Sequence, residues 1–409
     1  MRKVAVTGIG IVSPVGNTAY EAFGNLMEGK SGVRRIAAGF AKQLSTTVAA
    51  EVSLNMSEHF SLKELRNFDR VTQLALVASE QAWGDSGITL SDEEKERAGV
   101  YVGTGLGGAV TIDEVSYQLY KKEVSRVSPL SVTKIMCNAS ASHISIRYGL
   151  RGPCLTFSTA CSSSAVAVGE AYRHIKAGLA DVIVAGGTES LITYTSIKAW
   201  ESLGVLALED TVDPAASCKP FSKDRTGFVL GEGSAIVVLE EMEKAKKRGA
   251  TIYGEVAGYG STADANHITG PSIDGQVRAM RQALEEASLE TDALDYINAH
   301  GTATVANDSI ETQALKKLLG QGAYSVPVSS TKSMHGHLMG AAGAVEFVIA
   351  LLSVRNKAIP PTAHLKIPDP ECDLDYVPNT GRSGLDVRTA MTNSFAFGGT
   401  NAVLIVREV

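Results

Sequence analysis

Two stretches of the chain repeat each other, and this limits the possible fold more than any other feature of the sequence. GEGSAIVVLEE starts at Gly231 and GGTNAVLIVRE at Gly398, 167 residues later. STACSSSAVAVGEA starts at Ser158 and STKSMHGHLMGAAGAVE at Ser330, 172 residues later. Like elements at a near-constant offset are what two copies of one structural unit produce. The opening run KVAVTGIG (3–10) pairs best with YGEVAGYG (253–260), at an offset of 250. The first copy is therefore roughly 78 residues longer ahead of its second repeat (250 against 172). The expected organisation is a first half over 1–250 and a second over 251–409. The expected insertion lies at about 105–150, where it would cover or line a site.

Strand-like and helix-like runs alternate along both copies. KVAVTGI (3–9), GVYVGTG (99–105), DVIVAGG (181–187) and SAIVVLE (234–240) read as buried or half-buried strands. The runs 70–85, 162–177, 275–289, 308–319 and 341–355 carry helical spacing without proline. This alternation predicts α/β layers.

Composition narrows the function class. The 409 residues carry a net charge of −6, so no basic stripe dominates the surface and nucleic acid is not an expected partner. The five cysteines form neither CxxC pairs nor a small disulfide framework, which fits a reducing cytoplasm. No 18 apolar residues run uninterrupted, and no membrane span is expected. Gly8 and Gly10 lack the third glycine of a dinucleotide fingerprint.

Cys161 sits where the run CLTFSTA (154–160) becomes a helix with Ala165, Val168, Tyr172 and Ile175 on one face. A helix N-terminus there would favour the thiolate, and its free N–H groups could hold an oxyanion. At the matching junction of the second copy, Lys332 aligns with Ala160 and His337 follows five residues on. Glu346 interrupts an apolar helix and needs a partner, for which Lys332 is the candidate. His300 follows a strand at its C-terminal end, where α/β proteins gather ligands. Asp308 and Glu311 read as charge complements at a helix start and no more.

STACSSS, NAHGTAT, STKSMHGHLMGAAGAVE and NSFAFGGTN together resemble the signature regions of the β-ketoacyl-[acyl-carrier-protein] synthases of the I/II type. KPFSKDRTGFVLGEG (219–233) is similar to a further motif of that family. The resemblance implies the thiolase-like fold, a duplicated α-β-α-β-α five-layer architecture. In it the first half carries the nucleophile and the second the catalytic histidines. It implies a decarboxylating Claisen condensation in which Cys161 carries the acyl chain and malonyl-carrier protein supplies a two-carbon enolate. His300 and His337 would stabilise that enolate, Lys332 and Glu346 would position the histidines, and the N–H groups of Cys161 and Phe397 would form the oxyanion hole. Phe395, Ala396, Phe397, Gly398, Thr302 and Thr304 match gate and substrate-binding positions. No metal or other cofactor is implied, because the substrates ride on the phosphopantetheine arm of acyl carrier protein. The implied partners are that carrier protein and a second subunit, either an identical one or a chain-length-factor-like one. The strand before Cys161 would cross the two-fold axis.

Carrier docking would fall on Lys63, Arg66 and Arg126. Two departures from the family pattern bear on the substrate. Ala396 stands where glycine is usual, and the segment 196–210 (SIKAWESLGVLALED) is atypical. The insertion 105–150 and the segment 191–209, with Tyr194, Ile197, Trp200 and Leu203 as possible walls, are expected to line an acyl tunnel. The expected role is elongation in type II fatty-acid synthesis. The alternative is a specialised polyketide or aryl-polyene ketosynthase. A non-catalytic chain-length factor would lack Cys161, and a degradative thiolase would carry a second cysteine near NSFAFGGTN.

Overall fold

A computed structural model describes residues 2–409. Its main sheet has ten strands: β1 (Val4–Val12), β2 (Ala98–Gly103), β3 (Cys154–Phe157), β4 (Val182–Glu189), β5 (Gly233–Glu241), β6 (Gly254–Ala263), β7 (Tyr296–Asn298), β8 (Val328–Ser329), β9 (Thr389–Phe395) and β10 (Thr400–Arg407). Their spatial order is β8-β7-β9-β10-β6-β1-β5-β4-β2-β3. Read from the centre outward, the two sides match strand for strand. β2 runs parallel to β3 and β4, as β7 runs parallel to β8 and β9. β5 and β10 are antiparallel to their neighbours. Within the main sheet the halves pair only through Val4–Val6 against Gly254–Val256, so each forms a five-stranded portion of it.

The helices complete the layers. On one outer face α1 (Arg70–Ser86) packs on β1 and β5, flanked by α4 (Ala139–Tyr148), with α2 (Ala109–Tyr120) and α3 (Ser131–Ile135) in the loop before α4. α5 (Ser163–Lys176) follows β3, and α6 (Tyr194–Leu203) follows β4. The other outer face carries α7 (Ile273–Ala287) and α8 (Val305–Leu319). α5 and α9 (Ala342–Asn356) form the middle layer: they pack on each other, and each touches strands of both halves. The resulting stack is α-β-α-β-α, the thiolase-like architecture.

The sequence explains the middle layer. Met339–Asn356 is long and apolar enough to cross a bilayer, with mean hydropathy 1.3, but 89% of it is buried inside this fold. A helix enclosed by two sheets needs apolar residues all round. The close packing rests on absent side chains. A Cβ on Gly343 of α9 would lie 2.7 Å from the Cβ and 2.9 Å from the backbone N of Ala165 on α5, and one on Gly169 would strike the Tyr259 ring at 2.3 Å.

The extra length of the first copy lies mostly elsewhere than expected. Residues 13–97 separate β1 from β2, against 264–295 in the second copy, whereas 104–153 and 299–327 differ much less. The segment 105–150 is therefore the smaller of two expansions. Its apolar residues Ile112, Tyr117, Tyr120, Val132 and Ile146 are exposed, as is Leu155 on the open edge of β3, against which the helix carrying Ile146 packs.

The middle layer generates one prediction. Gly343→Val forces β-branched bulk against fixed backbone and should cost about 1–3 kcal/mol, read as a lowered Tm; an unchanged Tm would show that α5 and α9 are not packed this closely.

Candidate active site

Each half brings its part of the site to the same kind of position, the junction between a strand's C-terminal end and the following helix. After β3 the chain turns through Ala160, a non-glycine residue at φ 51°, into a short 3₁₀ turn that carries Cys161 just ahead of α5. Ser163 holds that turn: its hydroxyl donates to the Ala160 carbonyl (2.6 Å) and accepts from the Thr159 N–H (2.9 Å). After β8, the equivalent junction forms the turn Lys332–His335 and presents His337. His300 comes from the loop after β7.

The Cys161 sulfur and one nitrogen each of His300 and His337 lie within 4.8 Å of one another, all buried. The histidine rings stand edge to face, centroids 5.4 Å apart at 84°. Their hydrogen bonds assign the tautomers. The Met339 N–H donates to His337 Nδ1 (3.2 Å), so the proton sits on Nε2, which is buried without a partner. Lys332 Nζ lies 3.4 Å from His300 Nδ1, which places that proton on Nε2 as well. These three side chains are metal-ligating types, yet both Nε2 lone pairs are used by protons. The cluster therefore presents two N–H donors and a thiol, which suits an oxyanion rather than a cation.

Lys332 and Glu346 are fully buried and paired. Neither lines the cavity; Lys332 also donates to the His300 carbonyl (2.6 Å). Burial and then the charge of Lys332 hold both imidazoles well below their ordinary pKa, so both are neutral at physiological pH. Burial raises Glu346 above the usual carboxylate range, and Lys332 opposes this.

The thiol departs from expectation. The backbone N–H groups of Phe397 and Cys161 point at the sulfur, and with Lys332 they favour the thiolate, but burial outweighs them and pushes Cys161 up to about 11. Cys161 is buried as a thiol, not displayed as a thiolate.

Asp308 and Glu311 also differ from their reading as surface charge complements. Both are fully buried. Glu311 accepts the N–H groups of His300 and Gly301 (2.8 Å each) and the Asn393 amide (3.2 Å). Asp308 accepts those of Thr302 (3.0 Å) and Phe221 (2.8 Å) beside Arg225. Arg225 in turn donates to the Thr304 and Val305 carbonyls. These groups fix the loop that carries His300. Glu189, at the end of β4, was not singled out by the sequence. It is fully buried, accepts the N–H groups of Gly105 (2.5 Å) and Gly340 (3.0 Å), and so ties the halves together beside the site. A carboxylate closing an apolar strand was the available signal.

A cavity of about 210 Å³ opens above Cys161, His300 and His337. Thr302, Thr304, Phe395, Ala396 and Phe397 line it, as expected; Gly398 does not. Trp200 and Leu203 line it, whereas Tyr194 and Ile197 do not, and no residue of 105–150 reaches it. Residues Asp264 and 268–271, unremarkable in the sequence, form its other wall. Ala396 does not have a positive φ, so alanine carries no strain where glycine was expected. Lys63, Arg66 and Arg126 are exposed and make no ion pair among the described residues, and none lines the cavity.

Two measurements test this geometry. Alkylation of Cys161 should accelerate up to about pH 11, with exposed Cys137 reacting first near neutrality; a plateau for Cys161 by pH 8 would contradict the buried-thiol assignment. Glu311→Ala leaves two buried N–H groups unpaired, at about 1–3 kcal/mol each, and should lower both Tm and turnover; full activity would show that the His300 loop does not need this carboxylate.

Comparison with known proteins agrees with the motifs. Residues 1–245 match the family model of the β-ketoacyl synthase N-terminal domain and 253–366 that of its C-terminal domain. The chain is 40% identical over 410 residues to 3-oxoacyl-[acyl-carrier-protein] synthase 2 of Staphylococcus aureus strain N315, covering 100% of this chain and 98% of that protein. It is 41% identical over 411 residues to the protein of the same name from Coxiella burnetii, covering 100% and 99%. Among solved structures, a β-ketoacyl synthase from Burkholderia phymatum is 34% identical with a TM-score of 0.92, with both chains fully covered. A type II polyketide ketosynthase, solved with its acyl-carrier protein and a bound hexaketide, gives the same identity, TM-score and coverage. The chain therefore belongs to the β-ketoacyl synthase family.

Proposed function

We propose that the protein is a 3-oxoacyl-[acyl-carrier-protein] synthase that elongates acyl chains by two carbons in type II fatty-acid synthesis. The observation that carries this reading is the convergence of a thiol, two backbone N–H groups aimed at its sulfur and two neutral imidazole Nε2–H donors on one cavity.

The chemistry runs in two stages. The Cys161 sulfur adds to the acyl thioester carbonyl, and the N–H groups of Cys161 and Phe397 hold the resulting oxyanion. The pantetheine C–S bond breaks, and the thiol proton leaves with the departing sulfur. In the second stage the carbonyl of a malonyl thioester accepts from the Nε2–H groups of His300 and His337. The bond to its carboxylate breaks, CO₂ departs, and the electron pair moves into an enolate that the two donors stabilise. The enolate carbon attacks the acyl-Cys161 carbonyl, the C–S bond breaks, and the thiolate left behind takes a proton from solvent. The reaction needs no oxidant and no metal, since decarboxylation supplies the carbanion.

The partner is an acyl carrier protein, docked through Lys63, Arg66 and Arg126, whose unpaired charges suit an acidic surface. The open edge of β3 and the exposed apolar residues around it favour a dimer formed by strand pairing across that edge. A second subunit there could be another copy or a non-identical one. A ketosynthase from Xenorhabdus doucetiae in complex with its chain length factor is 25% identical at a TM-score of 0.83, over 100% of this chain and 98% of that one. A specialised polyketide role is the second reading, favoured by the aromatic side chains Trp200, Phe228, Phe395 and Phe397 around the cavity. The reducing cytoplasm remains the proposed location.

Substitution separates the stages. Cys161→Ala should abolish condensation while decarboxylation of malonyl-carrier protein persists. His300→Ala or His337→Ala should slow decarboxylation by about 10²–10³-fold. Condensation by Cys161→Ala would refute the assignment. Because both imidazoles titrate well below 6.5, they stay neutral as the pH falls past that value; decarboxylation by Cys161→Ala should show no acid limb near pH 6.5. Complementation of a strain lacking its elongating synthase tests the fatty-acid role. A preference of tenfold or more in kcat/KM for conjugated over saturated chains, about 1.4 kcal/mol, would favour the specialised one.

A further inference from the structure

We propose that Trp200 is the specificity-determining residue of the acyl cavity: its indole, which leans on the gate residue Phe397, plugs the cavity beside Cys161 and must swing aside before a long chain can be held. This rests on the condensing reading above and adds the residue that sets which chains are accepted.

Space supplies the first part of the argument. The cavity of about 210 Å³ is smaller than the roughly 300–1,000 Å³ of pockets that enclose a whole small ligand. An acyl chain on Cys161 and a second thioester facing the histidines together call for more room than this, which a movable part of the wall would supply. The lining shows which part. Phe228 and Phe395 are 3% and 6% exposed and packed in the core. Met339 is equally buried and sits in the turn that holds His337. Trp200 and Phe397 are only half-buried, and they lean on each other, with ring centroids 6.0 Å apart at 35°.

The surroundings of Trp200 make the side chain the moving part. Its helix α6 is fixed at both ends: Thr193 caps the N-terminus, and Gly204 closes the C-terminus in a left-handed turn. Ile197 is buried, and the Glu201 carboxylate accepts the N–H groups of Ser45 and Thr46. By contrast, no hydrogen bond among the described residues ties the indole N–H. Phe397 is followed by Gly398 and Gly399 at φ 84° and 73°, so its turn has little side-chain bulk to hold it. The indole also meets Phe228 edge to face at 5.5 Å, and Phe228 meets His337 at 5.3 Å. A chain that displaces Trp200 therefore disturbs the residue beside the oxyanion hole on one side and the packing against His337 on the other.

Acyl transfer and condensation should be measured with carrier-bound saturated C6 to C14 chains on wild type, Trp200→Ala and Trp200→Phe. The kcat/KM ratio of C14 to C6 should rise at least fivefold in Trp200→Ala, with Trp200→Phe between it and wild type. Because the chain has two tryptophans, the difference in emission between wild type and Trp200→Phe isolates Trp200. That difference should change when C14 loads onto Cys161. A smaller rise in the ratio, an equal loss at every length, or an emission difference that ignores acylation overturns the proposal. If wild type condenses no chain at all, the condensing reading itself has failed, a separate outcome.

Discussion

Lys332 takes a positive charge into a region without solvent, and the site is arranged around that charge. Burying an ion costs several kcal/mol even after relaxation, and losing its partner leaves the whole penalty uncompensated. Glu346, reaching from the middle-layer helix α9, supplies the partner. The ammonium still has protons to donate, and it gives one to the His300 carbonyl while facing His300 Nδ1. That contact fixes the tautomer and sends the other N–H into the cavity. The same charge depresses both imidazoles and favours the thiolate of Cys161. The ion pair thus sets the donor direction of His300, and its positive charge adds to burial in keeping both imidazoles neutral.

The ion pair is possible because the fold is doubled. Two equivalent strand-to-helix junctions face each other across the middle layer, one supplying the thiol and the other the Lys332 and His337 segment. Their approach depends on glycines at the points of closest contact. Gly343 against Ala165, and Gly105 and Gly340 against the Glu189 carboxylate, leave no room for a Cβ. Glu189 and Glu311 serve the same end by different routes. Each gathers backbone N–H groups from loops that would otherwise bury them unpaired, and so holds those loops at the distance the chemistry needs.

The thiol shows how competing effects are resolved by magnitude. A turn at the start of α5, two N–H groups and a nearby ammonium all favour the anion. Desolvation acts on the charged form alone and is larger than their sum here, so Cys161 rests protonated.

The sequence alone determined the duplication, the α/β alternation and the residues that carry charge or nucleophilicity, because these follow from periodicity and residue type. Lys332 and Glu346 were legible as a pair, since a carboxylate inside an apolar helix needs a counter-charge. Asp308 and Glu311 were not, because an acid in a helix's first turn looks the same in sequence whether it faces water or a buried loop. Which side of the cavity 264–271 would close, and that 105–150 would turn its apolar residues outward instead, depended on long-range packing that local pattern does not encode. Tertiary structure alone decided the sign of the thiol's shift and the contact of Trp200 with Phe397. Desolvation and ring-to-ring distance are properties of enclosure, and enclosure exists only once both halves have closed around the site.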